Sequence, residues 1–401
     1  MDAPQDFGKF PADFVWGTAT SAFQTEGNNT KSDWWAWENS SGSKAAEPLD
    51  KSGAASDSYD NYEVDLDLCK ELNTSAVRLG IEWARIQPEP NRFDTKEIEH
   101  YRAVLRAAKA RNLKTFVTLY HFTIPTWFAQ KGGWLNLQAP MLFAEYARAC
   151  VLEFKDLIDV YITINEPQVY ALMAYTVGTW PPNQRNLLKA SIVQLNLIRA
   201  HVKAHKEIKK VVNTPVGIAK NIVWFQKSPR SSNILDVLYA KFRFWLNCGF
   251  FFDQVIKKCD YIGLNYYFTT QYNNLRVDNE DDFNSDIGWW IYPRGLYNTL
   301  LKLKKYSLPI YITENGLANA LDEKRSRFIY EMLLQCLLAI KAGVELKGYF
   351  YWSLIDNYEW HQGFWPKFGL IEVDRFQNMA RVPRPSFYYY SKICQSGNIN
   401  Q

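Results

Sequence analysis

The sequence predicts an α/β chain, a single (β/α)8 TIM barrel over residues 1–401, with its active site at the C-terminal ends of the strands. Three observations predict it. Eight short apolar runs, most of them β-branched or aromatic, alternate with stretches of 3.6-residue apolar periodicity, the pattern of a parallel sheet covered by helices. Eight units favour closure over an open doubly wound sheet, whose Gly-rich phosphate turn is missing here. Two of the runs also deliver a glutamate just past their apolar stretch, in Ile162-Thr163-Ile164-Asn165-Glu166-Pro167 and in Tyr311-Ile312-Thr313-Glu314-Asn315-Gly316.

In chain order, strands are expected at Phe14 to Ala19, Ser75 to Leu79, Thr115 to Leu119, Val160 to Ile164, Val216 to Ala219, Tyr261 to Leu264, Ile310 to Thr313 and Gly348 to Trp352. Each is short enough for a buried strand, and too short for a helix. Helical periodicity marks Ser58 to Leu72, Lys96 to Arg111, Pro140 to Phe154, Leu187 to Val211, Ile234 to Ile256, Tyr297 to Tyr306 and Asp322 to Ala342, with Pro385 to Cys394 as the last helix. On this reading Glu166 ends strand four and Glu314 ends strand seven. Barrel strands all point one way, so the two carboxyl groups face one another across a common rim. Such a pair is the equipment of glycosidic bond cleavage, in which one carboxyl stays protonated and the other ionised.

Composition narrows the function. The chain carries 46 basic and 42 acidic residues, interspersed, for a net charge of +4, so no electrostatic footprint for nucleic acid is visible. Basic groups such as Lys302-Leu303-Lys304-Lys305 read as solvated helix faces. No Gly/Ser/Pro-rich linker or fixed-period repeat divides the chain. Met1-Asp2-Ala3-Pro4-Gln5-Asp6 lacks the pattern of a secretory leader and no run approaches a membrane span, so the expectation is a cytoplasmic protein with no membrane partner. Cys69, Cys150, Cys248, Cys259, Cys336 and Cys394 are scattered without paired spacing, which suits buried, reduced thiols rather than zinc or redox motifs. The Asn-x-Ser/Thr triplets at Asn28, Asn39 and Asn73 are then chance matches. Neither a metal nor a cofactor is expected. Aromatic content is high, 16% with 15 Trp and 24 Tyr, enough to supply platforms for sugar rings as well as core packing.

Four ordered motifs resemble glycoside hydrolase family 1: the two glutamate segments, Phe14-Val15-Trp16-Gly17-Thr18-Ala19-Thr20-Ser21-Ala22-Phe23-Gln24-Thr25-Glu26-Gly27 near the N-terminus, and Trp352-Ser353-Leu354-Ile355-Asp356-Asn357-Tyr358-Glu359-Trp360 near the C-terminus. The likeness runs from about Phe10 to Tyr390 and implies a retaining β-glycosidase acting on small β-linked carbohydrates. It implies Glu166 as acid/base, Glu314 as nucleophile, and Asn165 as holder of the sugar's 2-hydroxyl. Arg78, in Val77-Arg78-Leu79-Gly80, resembles the family arginine beside the nucleophile. Tyr267, in Gly263-Leu264-Asn265-Tyr266-Tyr267, is similar to the tyrosine that hydrogen-bonds it, and Asn265 is expected to face substrate.

For the sugar, the resemblance implies Gln24, His121, Glu359 and Trp360 as hydroxyl binders, Trp352 as stacking floor, Phe368 as the aromatic that closes the pocket and Trp289 as an aglycone platform. Trp290 beside it reads as packing. Two departures stand out: Glu82 where a small hydroxyl residue is commoner, and Phe122 in place of a more frequent Trp. The segments between Glu166 and Glu314, above all Trp224 to Asp260, look shorter than in most relatives, which leaves the aglycone side undetermined.

The leading reading is hydrolysis of unphosphorylated terminal β-glucosides, with β-galactosides and β-fucosides also expected. Glu359 would repel a 6-phosphate, and the Ser/Lys/Tyr set of the phospho-specific branch is not rebuilt, which counts against a 6-phospho-β-glycosidase. Both glutamates persist, which counts against a catalytically silent carbohydrate-binding relative. The retained Glu166 counts against a thioglycosidase. Oligomeric state is left open.

Overall fold

In the computed structural model, residues 8–40 and 48–400 are described; Met1 to Asp6, read above for a leader, lies outside them. Eight parallel strands close into a barrel in which each pairs with its sequence neighbours: β1 (Val15–Ala19), β2 (Ala76–Gly80), β3 (Lys114–Thr118), β4 (Val160–Asn165), β5 (Val216–Asn221), β6 (Tyr261–Asn265), β7 (Ile310–Asn315) and β8 (Leu346–Trp352), with β1 returning to β8. Every expected strand is present, displaced by at most a residue or two. β4 runs through Asn165, so Glu166 is the first residue beyond it. Glu314 instead lies inside β7, opposite Asn265 of β6.

Eight outer helices cover the barrel: α1 (Ser58–Glu71), α2 (Thr95–Ala110), α3 (Ala139–Phe154), α4 (Leu187–Lys209), α5 (Leu235–Phe244), α6 (Pro293–Leu303), α7 (Arg325–Lys341) and α8 (Pro385–Ser396). Local chemistry sets their ends. Asp94 accepts from the backbone N–H of Lys96 and Glu97 at the start of α2, and Asn186 accepts from Lys189 at the start of α4. Prolines open α3, α6 and α8, where their missing N–H costs nothing. The expected helix from Ile234 to Ile256 is interrupted: α5 passes into a wider turn at Trp245–Gly249 before helical winding resumes at Phe250–Val255.

Large side chains fill the barrel where small ones make room. Phe116 packs on Phe350 and Tyr311, and Tyr261 on Tyr311. A Cβ at Gly217 would sit 2.6 Å from the Tyr261 ring, so a glycine is required beneath that tyrosine. The same logic explains Gly316 after the Glu314-Asn315 pair, because its Cα faces the Trp352 carbonyl directly.

Two additions above the barrel were not expected. One is a three-stranded sheet of Trp224–Lys227, Thr269–Asn273 and Arg276–Val277; the other is a hairpin of Ile371–Asp374 and Ala380–Pro383. Their strands are two to five residues long and mix buried with half-buried and exposed positions, so they carry no sustained apolar run for a sequence reading to find. All six cysteines are free and buried, as their spacing implied. No helix among the described residues is long and apolar enough to cross a membrane, and these residues contain no metal-binding cluster.

Candidate active site

A cavity of about 580 Å³ opens at the C-terminal ends of the strands and holds both glutamates. Its floor is a connected polar network. Arg78 of β2, fully buried, reaches across the barrel axis: Nη1 meets Glu314 Oε1 at 2.5 Å, Nη2 donates to Asn165 Oδ1 at 2.7 Å, and Nε donates to Thr118 Oγ1 at 3.0 Å. Tyr267 donates its hydroxyl to the other Glu314 oxygen at 2.6 Å. Glu314 is thus held by a guanidinium and a phenol, the partners an anion needs in a low-dielectric site.

Glu166 sits in a different environment. It is 7% exposed, adopts a left-handed backbone (φ 42°, ψ 57°), and accepts one side-chain hydrogen bond, from Asn265 Nδ2 at 2.7 Å. Burial first, then the Glu314 charge, push its carboxyl well above the ordinary glutamate range; Asn265, Lys220 and Arg78 pull the other way. Positive φ recurs at Phe122 (75°) and Trp360 (55°), so three non-glycine residues around one cavity hold uncommon conformations.

Asn265 departs from expectation. It is fully buried and does not line the cavity. Its amide donates to Asn165 and Glu166 while its oxygen accepts from Thr313 Oγ1 at 2.7 Å, so its polar atoms are spent on the Glu166 carboxyl and its neighbours and not on the cavity. Asn165 in turn donates to His121 Nε2 at 3.0 Å, which leaves His121 Nδ1 buried and without a partner. Burial and the Arg78 charge hold His121 neutral. Gln24 likewise spends its amide N–H groups on Asn357 Oδ1, Tyr358 O and Glu359 Oε2, while its Oε1 stays unpartnered. Two buried polar atoms awaiting partners beside a carboxylate pair suit a ligand that brings hydroxyl groups.

Trp352, Trp360, Trp289 and Phe368 all line the cavity. Trp352 ends β8 with its ring 6.0 Å from that of His121. Trp360 is fixed by Phe23, stacked at 5.8 Å, and by Phe122 and Trp180. Trp289 closes the other side against Tyr267, Phe268 and Phe368, at centroid distances of 5.3, 5.1 and 6.1 Å. Trp290 is buried and donates to Asp282, a packing role. Glu359 faces the cavity between them, and burial, then Glu314 and Glu166, push its carboxyl up to about 8. It is therefore mostly neutral at pH 7, which weakens the charge repulsion anticipated for a phosphate.

Glu82 stands outside the cavity. It accepts twice from Thr123 Oγ1 and ties down the turn that carries His121 and Phe122. The sequence reading missed the far wall, formed by Phe225, Arg243, Asn247 and Tyr272, and also missed Lys220 behind Glu166. A lysine ending the apolar run Val216-Gly217-Ile218-Ala219 was the available signal. It is fully buried, donates to Asn221 O at 2.6 Å, and is brought down to about 8 by burial.

Comparison with known proteins agrees with this geometry. The profile of Glycosyl hydrolase family 1 matches residues 7–282 and 256–399. "Beta-glucosidase A" of Thermotoga maritima is 30% identical across 98% of this chain and 99% of its own; the alignment takes 445 positions, more than the 401 residues here, so this chain lacks segments its relative carries. A "Beta-glucosidase-like SFR2, chloroplastic" of Oryza sativa subsp. japonica is also 30% identical over 86% of the chain, which spans only 56% of that protein's length. The solved "beta-glycosidase from Pyrococcus horikoshii" superposes with a TM-score of 0.90 at 35% identity, covering 98% of this chain and 96% of that one. With the barrel, the paired carboxylates and the profile match in agreement, the chain belongs to glycosyl hydrolase family 1 and is a glycoside hydrolase with β-glycosidase activity.

Proposed function

We propose that the protein is a retaining β-glycosidase of the cytoplasm that removes terminal β-D-glucosyl residues, and β-galactosyl or β-fucosyl residues as well, from unphosphorylated small glycosides. The observation that carries this reading is the contrast between the carboxyl groups. Glu314 is gripped by Arg78 and Tyr267, whereas Glu166 is buried beside that negative charge and favours its proton.

In the first step Glu314 attacks the anomeric carbon while Glu166 donates its proton to the departing oxygen, so a carbon–oxygen bond forms as the glycosidic bond breaks. In the second step ionised Glu166 takes a proton from water. The water oxygen bonds to the anomeric carbon and the Glu314 ester is released. Asn165 is suited to the 2-hydroxyl, and Gln24, His121, Glu359 and Trp360 to the remaining hydroxyls over the Trp352 face. Arg78, Tyr267 and Asn265 act through the two glutamates. Among the described residues Arg243, on the far wall, is the only Lys or Arg lining the cavity, so a 6-phosphate beside Glu359 would meet the Glu314 charge without a lysine or arginine placed to neutralise it.

Azide rescue of alanine variants tests the roles. With a dinitrophenyl glucoside, Glu166→Ala should accumulate glycosyl-enzyme and yield β-glycosyl azide. Glu314→Ala should form no adduct and yield the α-azide by single inversion. Opposite anomers, or a 2-fluoroglucosyl label on Glu166, would reverse the assignment.

A further inference from the structure

Arg243 brings a positive charge to the far wall of the cavity, and among the described residues no Asp or Glu pairs with it. It leaves α5 half-buried, its guanidinium carbon 5.1 Å from the centre of the Phe225 ring, 5.7 Å from that of Tyr239 and 5.9 Å from that of Tyr272. Nη1 donates to the Tyr239 hydroxyl at 3.1 Å. The rings hold the planar group in place, and one hydroxyl takes only part of its donor set.

The acids near this wall are committed elsewhere. Val277 lines the cavity, but Asp278 after it pairs with Arg230 at 2.9 Å and accepts from Ser228 Oγ at 2.7 Å. Glu280 accepts from Gln271, Asp281 from Asn284 and Asp282 from Trp290 Nε1, and none of these acids lines the cavity. Asp236, on α5 itself, is buried and taken by Ser231 Oγ and the N–H groups of Asn274 and Leu275. A guanidinium ordered on aromatic faces without a counter-ion is a donor site for an anion.

Position ties this cation to the aglycone. Tyr267, which donates to Glu314, lies 5.3 Å from the Trp289 ring; Trp289 meets Phe268 at 5.1 Å; and Phe268 packs on the cluster of Val223, Phe225 and Tyr272 over which Arg243 sits. An aromatic wall therefore runs from the nucleophile to the guanidinium. Asn247, four residues beyond Arg243, also lines the cavity; its Oδ1 accepts from the Val223 N–H at 3.0 Å, which leaves its amide N–H groups as further donors.

We propose that Arg243 selects β-glycosides whose aglycone is an aromatic ring bearing a carboxylate, with the ring along the Trp289–Phe268 wall and the carboxylate on the guanidinium; this deepens the glycosidase reading above and rests on it. A fork of N–H donors matches the two oxygens of a carboxylate, and the aromatic wall matches the ring between that group and the scissile bond. A neutral sugar as aglycone fits less well, because it would cover a half-buried guanidinium without compensating its charge.

The test compares 4-(carboxymethyl)phenyl with 4-(carbamoylmethyl)phenyl β-D-glucoside, and the corresponding 3-substituted pair. The methylene group insulates the phenol oxygen, so the leaving groups within a pair are alike and charge is the difference between them. The wild-type enzyme should favour the acid in at least one pair by about tenfold in kcat/KM, the size of a single charged hydrogen bond, mostly through KM. Added salt should shrink that preference. Arg243→Gln should bring the ratio of acid to amide close to unity, and Arg243→Lys, which keeps the charge and loses the fork, should lower it without abolishing it. A wild-type enzyme with no preference in either pair, or a preference that survives in Arg243→Gln, overturns the proposal. So does an Arg243→Gln that keeps its circular dichroism spectrum and slows both members of a pair alike, which would make Arg243 a structural part of the wall. If Arg243→Gln does not fold, the wild-type ratio and its fall in Arg243→Lys decide alone. Calorimetric binding of the thio-linked analogues is read without turnover: tighter binding of the acid with neither O-glucoside hydrolysed refutes the glycosidase reading and keeps the anion site, whereas equal hydrolysis of acid and amide refutes the anion site and keeps the glycosidase.

Discussion

Replacing Asn265 by alanine should move the alkaline limb of kcat/KM to higher pH. The Asn265 amide donates to Glu166 Oε1 at 2.7 Å, a hydrogen bond that favours the ionised carboxylate. Among the influences on Glu166 it is the strongest of those opposing burial and the Glu314 charge. A hydrogen bond to a charged group contributes about 1.5–3 kcal/mol. At about 1.36 kcal/mol per pKa unit, its loss raises Glu166 by roughly one to two units, and water entering the truncated site recovers part of that. The protonated fraction of Glu166 governs the alkaline limb for any leaving group that needs a proton, so the limb shifts upward by about one unit. The assay is kcat/KM for a nitrophenyl glucoside through the neutral and alkaline range, beside the glycosylation rate of a dinitrophenyl glucoside, whose leaving group needs no proton. Only the first should show the shift. An unmoved limb, or one moved to lower pH, would refute the role drawn here for Asn265.

Three further outcomes follow from the same network and its supports. Tyr267→Phe removes a 2.6 Å hydrogen bond to Glu314, and kcat/KM should fall by roughly ten- to a hundredfold with KM little changed, read by steady-state kinetics. A 6-phosphorylated aryl glucoside should have a lower kcat/KM than its neutral counterpart; the reverse would overturn the glycone assignment. Asp33, which accepts from the Ile124 N–H, is pushed up by burial to about 7, so the folded state holds its proton more tightly than the unfolded chain. The associated stability is full at acidic pH and is lost as pH rises from the ordinary aspartate range through about 7, a cost on the order of 4 kcal/mol. Asp33→Asn should therefore raise Tm at pH 8 and leave it little changed in acid, measured by calorimetry.

The eight strands and their order were legible in the sequence because a strand buried on both faces must be a short apolar run, and the helices between them must show one apolar stripe. The positions of Glu166 and Glu314 followed from topology alone. Parallel strands deliver their C-terminal ends to one rim whatever the sequence separation, so motifs at β4 and β7 sufficed to pair them. The division of labour among the polar residues was not legible in the same way. Asn265 reads as a strand-end amide like Asn165, yet one lines the cavity and the other lies behind it, its amide spent on Asn165, Glu166 and Thr313, residues far from it in the chain. The far wall was hidden for a similar reason. Phe225 and Tyr272 belong to paired short strands 45 residues apart in register, and Arg243 reaches their rings from α5. What the sequence determined by itself is the set of elements that burial compels and the rim that parallel strands share. What only the tertiary structure decided is which hydrogen-bonding atoms are spent on neighbours and which, like Gln24 Oε1 and His121 Nδ1, remain for a ligand, since that is fixed by contacts among residues far apart in the chain.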